Sequence, residues 1–236
     1  SWSPVPALND HRTRDSWQPA GGGLALHSIQ HDPSEQRRIV CAISAGGVYR
    51  SDDDGASWSP CNHGVRADFL PHRLPETGQC VHKLRLHPAR PDRLYQQNHC
   101  GVYRSDDRGE RWTEITEGLP SDFGYALALD PHDPDVAWVV PEESSHMRTT
   151  VNGRLRVFRT DDAGAAWQPL THGLPQSHAF VSVLREGLCT DDADPTGLYL
   201  GTSGGHLFAS NDRGESFQLI AGFLPRILSV TASTLE

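Results

Sequence analysis

The stretch GVYRSDDRGERW at residues 101–112 predicts a β-strand, a tight turn and the start of a second strand. Its first residues are β-branched or aromatic, which favours a strand. In the turn, an aspartate can accept backbone N–H bonds and glycine supplies a positive φ. A nearly identical string, GVYRSDDDGASW, stands at residues 47–58. Two copies of one motif indicate a repeated structural unit.

The same pattern, Ser/Thr-x-Asp-x-Gly-x-x-Trp/Phe, occurs four times at intervals of 54, 55 and 50 residues. The four sets are Ser51, Asp53, Gly55 and Trp58; Ser105, Asp107, Gly109 and Trp112; Thr160, Asp162, Gly164 and Trp167; and Ser210, Asp212, Gly214 and Phe217. A period near 50 residues is typical of repeat arrays such as β-propellers, whose blades are four-stranded sheets. The sequence therefore predicts an all-β propeller.

We expect the four aspartates to be structural. The motif falls at the hairpin between the third and fourth strands of each unit, where the carboxylate closes the turn and the aromatic residue packs between neighbouring sheets. A calcium loop is the alternative for DDDG at residues 52–55, but the alternating ligands and closing glutamate of an EF-hand are missing.

The repeat predicts one propeller domain over residues 1–236, with blades at about 24–61, 80–116, 123–170 and 179–220. Residues 1–4 (SWSP) repeat residues 57–60, which predicts a leftover outer strand at 1–5, and RILSVTAS predicts an inner strand at 226–233. The expectation is an N-terminally truncated piece of a six- or seven-bladed propeller. Closure into five blades is the alternative.

The repeated motif resembles the Asp-box, or BNR, repeat of sialidases, xyloglucanases, sortilin-type receptors and photosystem II assembly factors. Residues 78–107, GQCVHKLRLHPARPDRLYQQNHCGVYRSDD, resemble a bacterial group of such proteins labelled sialidase-like or glycosyl-hydrolase-like. The resemblance covers essentially the whole chain and implies a β-propeller. It implies little about activity, because one fold hosts many functions.

Composition excludes several classes of function. A net charge of −9 argues against a nucleic-acid partner. The sequence contains no run of eighteen apolar residues, so we expect no membrane span. Five cysteines, an odd number, fit a reducing compartment better than a disulfide framework. We therefore expect a soluble, cytoplasmic protein.

Histidines concentrate at one end of the predicted blades, the channel mouth. Nine of the 13 map there: His11, His27, His63, His72, His82, His99, His146, His172 and His178. In QQNHC at 96–100, Gln97, Asn98 and His99 are candidates to bind a sugar or a peptide, with His27, His82 and loop residue Trp17. Our preferred prediction is a propeller that binds a ligand, carbohydrate or protein, at this mouth.

Aligning the inner strands places His27, His82, Tyr125 and Glu186 at one matching position. His27, His82 and His99, with Cys80, Cys100 or Glu186, form a candidate site for a divalent transition metal such as zinc, although no local metal motif supports it. Antiparallel pairing predicts His82 opposite Asn98 and Cys80 opposite Cys100. A hydrated polar lining and a Cys80–Cys100 disulfide are the alternatives.

A glycoside hydrolase is the runner-up function. The resemblance to sialidases implies a tyrosine–glutamate nucleophile and an arginine cluster, for which Tyr125, Glu186 and Arg185 are the catalytic candidates, although the Arg-Ile-Pro signature of sialidases is absent. An ordinary glycosidase instead needs two acids about 5–10 Å apart. The candidates for such a pair are Asp68, Glu76, Glu142, Glu143 and Glu186.

Overall fold

The computed structural model describes residues 3–19 and 23–233. The chain divides into two compact units, Ser1–Glu114 and Ile115–Glu236, and each contains two four-stranded antiparallel sheets. In every sheet the strands follow one another in chain order, as in a propeller blade. The predicted all-β propeller fold is therefore confirmed.

The first unit begins with a helix, α1 (Pro6–Asn9), and a 3₁₀ turn at Arg14–Ser16. The strands of its first sheet are β1 (Leu26–His31), β2 (Ile39–Ile43), β3 (Gly47–Ser51) and β4 (Ser59–Pro60). Those of its second sheet are β5 (Val81–His87), β6 (Arg90–Asn98), β7 (Gly101–Ser105) and β8 (Thr113–Glu114).

The second unit repeats this arrangement. The strands of its first sheet are β9 (Gly124–Leu129), β10 (Ala137–Pro141), β11 (Val157–Thr160) and β12 (Gln168–Leu170), with a 3₁₀ turn at Val151–Gly153 before β11. Those of its second sheet are β13 (Leu188–Thr190), β14 (Leu198–Gly201), β15 (Leu207–Ser210) and β16 (Gln218–Ala221).

The segments expected to be strands near the two termini have another structure where they are described. Residues 3–5 carry no strand, and residues 1–2 lie outside the described part. Of residues 226–233, only Ser229 forms a β-bridge, an isolated parallel one to Glu186. The backbone N–H groups of Ile227 and Val230 donate to Thr202 and Glu186. These contacts place the segment next to the start of β13 and the end of β14.

The repeated aspartates close their turns through side-chain hydrogen bonds. The hydroxyl of Ser105 donates to Asp107 (2.8 Å) and accepts from the N–H of Gly109 (2.9 Å), while Asp107 also accepts from the N–H of Arg111 (2.9 Å). Arg108 and Gly109 both have positive φ, +63° and +86°, which glycine adopts without strain. The hydroxyl–aspartate bond recurs at Ser51–Asp53, Thr160–Asp162 and Ser210–Asp212.

The aromatic residue of the motif is anchored to backbone carbonyls. In the first unit, the indole Nε1 of Trp112 donates to the carbonyl of Cys61 (2.8 Å) and its backbone N–H to that of His63 (2.9 Å). In the second unit, the Trp167 indole donates to Ile115 (2.7 Å). The backbone N–H of Phe217 donates to His172 (3.0 Å). These three aromatic rings are buried.

Candidate functional sites

Three of the four residues aligned from the sequence share a distinctive backbone position. The strand register shifts by one residue at His27 in β1, at His82 in β5 and at Tyr125 in β9. Such a bulge redirects the side chain of the extra residue and is common next to binding sites. Glu186 precedes β13 and has an exposed side chain.

The bulge at His82 changes the pairing predicted for the second sheet. Val81 lies opposite Asn98, and Lys83 lies opposite Gln97. The predictions that His82 faces Asn98 and that Cys80 faces Cys100 are therefore wrong, because they assumed an uninterrupted ladder. Both cysteines are free thiols, which also removes the disulfide alternative.

The first unit brings Cys80, His82 and His99 together. One potential ligand atom from each, a thiol sulfur or an imidazole nitrogen, lies within 4.8 Å of the other two. Cys80 and His82 are buried and His99 is half-buried. His27, Cys100 and Glu186, also named as metal candidates, do not belong to this cluster.

The other ligand-binding candidates of the first unit make internal contacts. Gln97 and Asn98 are buried, and the Gln97 amide donates to the carbonyl of Asn98 (2.9 Å). Trp17 is buried as well, and its indole donates to the hydroxyl of Tyr49 (2.7 Å). Phe69, from a long loop, is exposed, and its ring packs edge-on against the His99 ring with the two centroids 5.2 Å apart. The sequence could not distinguish the internal residues from the exposed one.

The second unit contains a cavity of about 450 Å³ that collects three arginines. It is lined by Tyr125, Arg148, Ser182, Leu184, Arg185, Ser203 and Arg226. The guanidinium carbon of Arg185 lies 4.6 Å from the centroid of the Tyr125 ring, a cation–π contact. We refer to this cavity as the arginine pocket.

The sequence anticipated only part of the arginine pocket. Tyr125 and Arg185, both predicted to be catalytic, line it together, whereas Glu186 is not among its lining residues. Arg148 and Arg226 were missed, because they lie in an insertion and in the C-terminal segment and no repeat position marks them. The only signal was the unusual length of the 141–154 connection.

Glu142, which directly follows β10, lies behind Ser182. Its side chain is fully buried, and Oε1 accepts hydrogen bonds from the Ser182 hydroxyl (2.5 Å) and from the N–H of Val183 (3.1 Å). Its other oxygen has no hydrogen-bond partner among the described residues. Burial raises the pKa of this carboxyl to about 7, although the Ser182 hydrogen bond lowers it. The carboxyl therefore keeps its proton to a higher pH than an exposed glutamate does.

The remaining acidic candidates take part in local contacts. Asp68 forms ion pairs with Arg66 and Arg73, and Glu76 forms one with Arg12. Glu143 accepts a hydrogen bond from the backbone N–H of Asn152 (2.9 Å). None of these acids lines the arginine pocket.

Two proteins named as xyloglucanases are similar to this chain in sequence. The sequence matches no protein-family model. It is 27% identical over 169 residues to a xyloglucanase from a Paenibacillus species, covering 64% of this chain and 15% of that protein. It is 25% identical over 213 residues to an oligoxyloglucan-reducing end-specific xyloglucanase from Emericella nidulans, covering 86% of this chain and 24% of that protein.

Solved structures agree on the fold. An ancestral GH74 enzyme superposes with a TM-score of 0.63 at 20% identity, covering 88% of this chain and 25% of the other. The GH74 xyloglucanase from Xanthomonas campestris superposes with a TM-score of 0.60 at 16% identity, covering 86% of this chain and 31% of the other. YCF48 from Cyanidioschyzon merolae superposes with a TM-score of 0.54 at 15% identity, covering 86% of this chain and 58% of the other.

The chain thus spans only 15% to 24% of the length of these two curated relatives. Within the described residues, no helix has the length and apolar character needed to cross a bilayer. Together the four antiparallel sheets and the solved structures establish the β-propeller fold.

Proposed function

We propose that the chain is a carbohydrate-binding β-propeller and that its arginine pocket receives a saccharide bearing a carboxylate. The observation that carries this proposal is the convergence of Arg148, Arg185 and Arg226 on one cavity. A guanidinium binds a carboxylate through two parallel N–H···O bonds, and three of them confer a strong preference for an anion. The chain as a whole is acidic, with a net charge of −9, so this cationic pocket stands out.

The rest of the lining suits a sugar. The hydroxyls of Ser182 and Ser203 can donate to and accept from sugar hydroxyls. Tyr125 supplies an aromatic wall. A volume of about 450 Å³ falls within the usual range for small-molecule pockets, roughly 300–1,000 Å³. The xyloglucanase relatives support saccharide as the ligand class.

Calorimetric titration of the whole chain tests the proposal, with a galacturonic acid trisaccharide, sialyllactose and a neutral xyloglucan heptasaccharide as probes. We expect an acidic probe to bind more tightly than the neutral one, and Arg185→Ala to weaken it about tenfold or more because a charged hydrogen-bonding partner is lost. Arg154→Ala is the matched control, since Arg154 is exposed and does not line the pocket. Absence of binding, or equal binding by wild type and Arg185→Ala, would refute the proposal.

A sialidase-like glycosidase is the second candidate, favoured by Tyr125 lying within the arginine pocket. Under this hypothesis the four turns are Asp boxes, Tyr125 is the nucleophile, Arg185 holds the substrate carboxylate and a glutamate assists. Glu186 was the predicted partner, and Glu142 is now an alternative, since its pKa is raised to about 7. A fluorogenic sialoside decides: turnover that Tyr125→Phe abolishes, with binding retained, would make the chain an enzyme.

A further inference from the structure

We propose that Cys80, His82 and His99 bind a zinc ion, with one coordination position left open. This inference concerns the first unit and does not rest on the proposed saccharide pocket. The three potential ligand atoms lie within 4.8 Å of one another. Around a tetrahedral zinc ion, with Zn–S near 2.3 Å and Zn–N near 2.0–2.1 Å, ligand atoms are about 3.3–3.6 Å apart. Small side-chain rotations therefore bring the set to coordination distance.

The backbone holds the three residues in place without a metal. His82 is the extra residue of the bulge in β5, which redirects its side chain. His99 lies in the tight turn between β6 and β7, and its N–H donates to the carbonyl of Cys80 (2.9 Å). Two prospective ligand residues are thus joined by a backbone hydrogen bond, so binding would cost little ordering entropy.

The chemistry of the set favours zinc. One thiolate and two imidazoles are ligands that zinc accepts, and metal binding deprotonates the thiol. The hydroxyl of Ser44 lies 3.4 Å from the Cys80 sulfur, where it can donate a hydrogen bond to the thiolate. Cys80 and His82 are only 6% and 3% exposed, which shields two of the ligands from water.

The open position follows from the number of ligands and from the exposure of His99. Three protein ligands are the pattern of a zinc site that keeps a place for water or a substrate group. His99 is half-buried, and the exposed Phe69 lies edge-on against its ring. The fourth position of a tetrahedral zinc ion would take a small oxygen or nitrogen ligand.

The first test is the metal content of the whole chain, stripped with a chelator, re-equilibrated with zinc and freed of excess. We expect one zinc per chain and a loss of affinity of about 100-fold or more in His99→Ala, since even residues that merely orient a ligand cost 10–100-fold. His63→Ala is the matched control, because His63 is exposed in the same unit and its backbone carbonyl, which the substitution keeps, accepts the N–H of Trp112.

Cobalt provides an independent measurement. Co²⁺ bound to a thiolate gives a sulfur-to-metal charge-transfer band in the near ultraviolet. This band should appear in wild type and in the thiol control Cys189→Ser, and should disappear in Cys80→Ser. Circular dichroism checks that each variant folds, and Cys80→Ser is the most conservative of these replacements. A metal-free wild type, or equal zinc in wild type and His99→Ala, would overturn the inference.

Discussion

The guanidinium of Arg185 lies over the ring of Tyr125, with its central carbon 4.6 Å from the ring centroid. The ring thereby fixes the direction of a charged group that lines the arginine pocket. A fixed guanidinium binds an anion better than a mobile one, because less side-chain entropy is lost when the ligand arrives.

Arg185→Lys should therefore weaken binding of an acidic saccharide about tenfold although the charge is kept. An ammonium group cannot form the two-pronged carboxylate bond and is a poorer stacking partner. Calorimetric titration measures the effect, and Arg154→Lys is the control. Equal affinity of Arg185→Lys and wild type would show that only the charge matters.

The stability of the protein should fall as pH rises through the titration of Glu142. Its pKa is about 7 in the folded chain and 4.5 in the unfolded one, so the folded state holds the proton more tightly between these values. At about 1.4 kcal/mol per pKa unit, up to about 3 kcal/mol of unfolding free energy is lost between pH 4.5 and 7. Urea unfolding as a function of pH measures this slope.

Glu142→Gln should remove that part of the slope, since an amide of the same size cannot ionise. Relative to wild type, the variant should therefore gain stability as pH rises. Glu143→Gln is the control, because the neighbouring side chain is exposed. The prediction fails if the two variants show the same pH profile.

Asp107→Ala should lower the free energy of unfolding by about 1–3 kcal/mol, because the hydroxyl of Ser105 and the N–H of Arg111 both lose their acceptor. Thermal and denaturant unfolding measure the loss. Glu117→Ala is the control, since Glu117 is exposed. An unfolding free energy in Asp107→Ala equal to that of wild type would contradict the structural role of this aspartate.

Trp112→Phe should lower the free energy of unfolding by about 1–2 kcal/mol. The phenyl ring keeps much of the buried contact but loses the indole hydrogen bond to Cys61 (2.8 Å). The fourth repeat tolerates this chemistry naturally, since it has Phe217 at the equivalent position. Denaturant unfolding decides, and a loss above about 4 kcal/mol would show that ring volume dominates.

Gly173→Ala should destabilise the second unit severely. Gly173 has φ of +81°, and a Cβ there would lie 1.8 Å from the carbonyl oxygen of Phe217. Gly23→Ala is the matched control: its φ is also +81°, but no atom of the described residues lies within 4 Å of an added Cβ. The control should lose only the free energy that a non-glycine residue costs at positive φ, about 1–2 kcal/mol of stability. Similar losses in both variants would contradict the role of the close contact.

The repeated motif allowed the fold to be predicted, because the turn hydrogen bonds depend on Ser105, Asp107 and Gly109, which are close in sequence. The equivalence of His27, His82 and Tyr125 also followed from the repeat. All three positions lie at a one-residue bulge. A bulge depends on pairing with the partner strand, so the residues next to it in sequence do not predict it.

The arginine pocket was beyond sequence reasoning for a related reason. Arg148 and Arg226 are separated by 78 residues and meet only through the packing of non-repeating segments. Gln97 and Trp17 were candidates for ligand binding because polar and aromatic side chains often line binding sites. Both are buried, and the Trp17 indole donates to Tyr49. Burial is a tertiary property, and periodicity does not report it.

The indole groups of two repeat tryptophans donate to main-chain oxygens, that of Cys61 for Trp112 and that of Ile115 for Trp167. An acceptor that every residue carries makes no demand on the neighbour's side chain. This hydrogen bond would therefore form against a duplicated four-stranded blade whatever side chain the neighbouring blade carries at the acceptor position, and the loops of the new blade are free to differ. Residues 47–58 and 101–112 show this combination, since they are nearly identical whereas the loops that follow them differ.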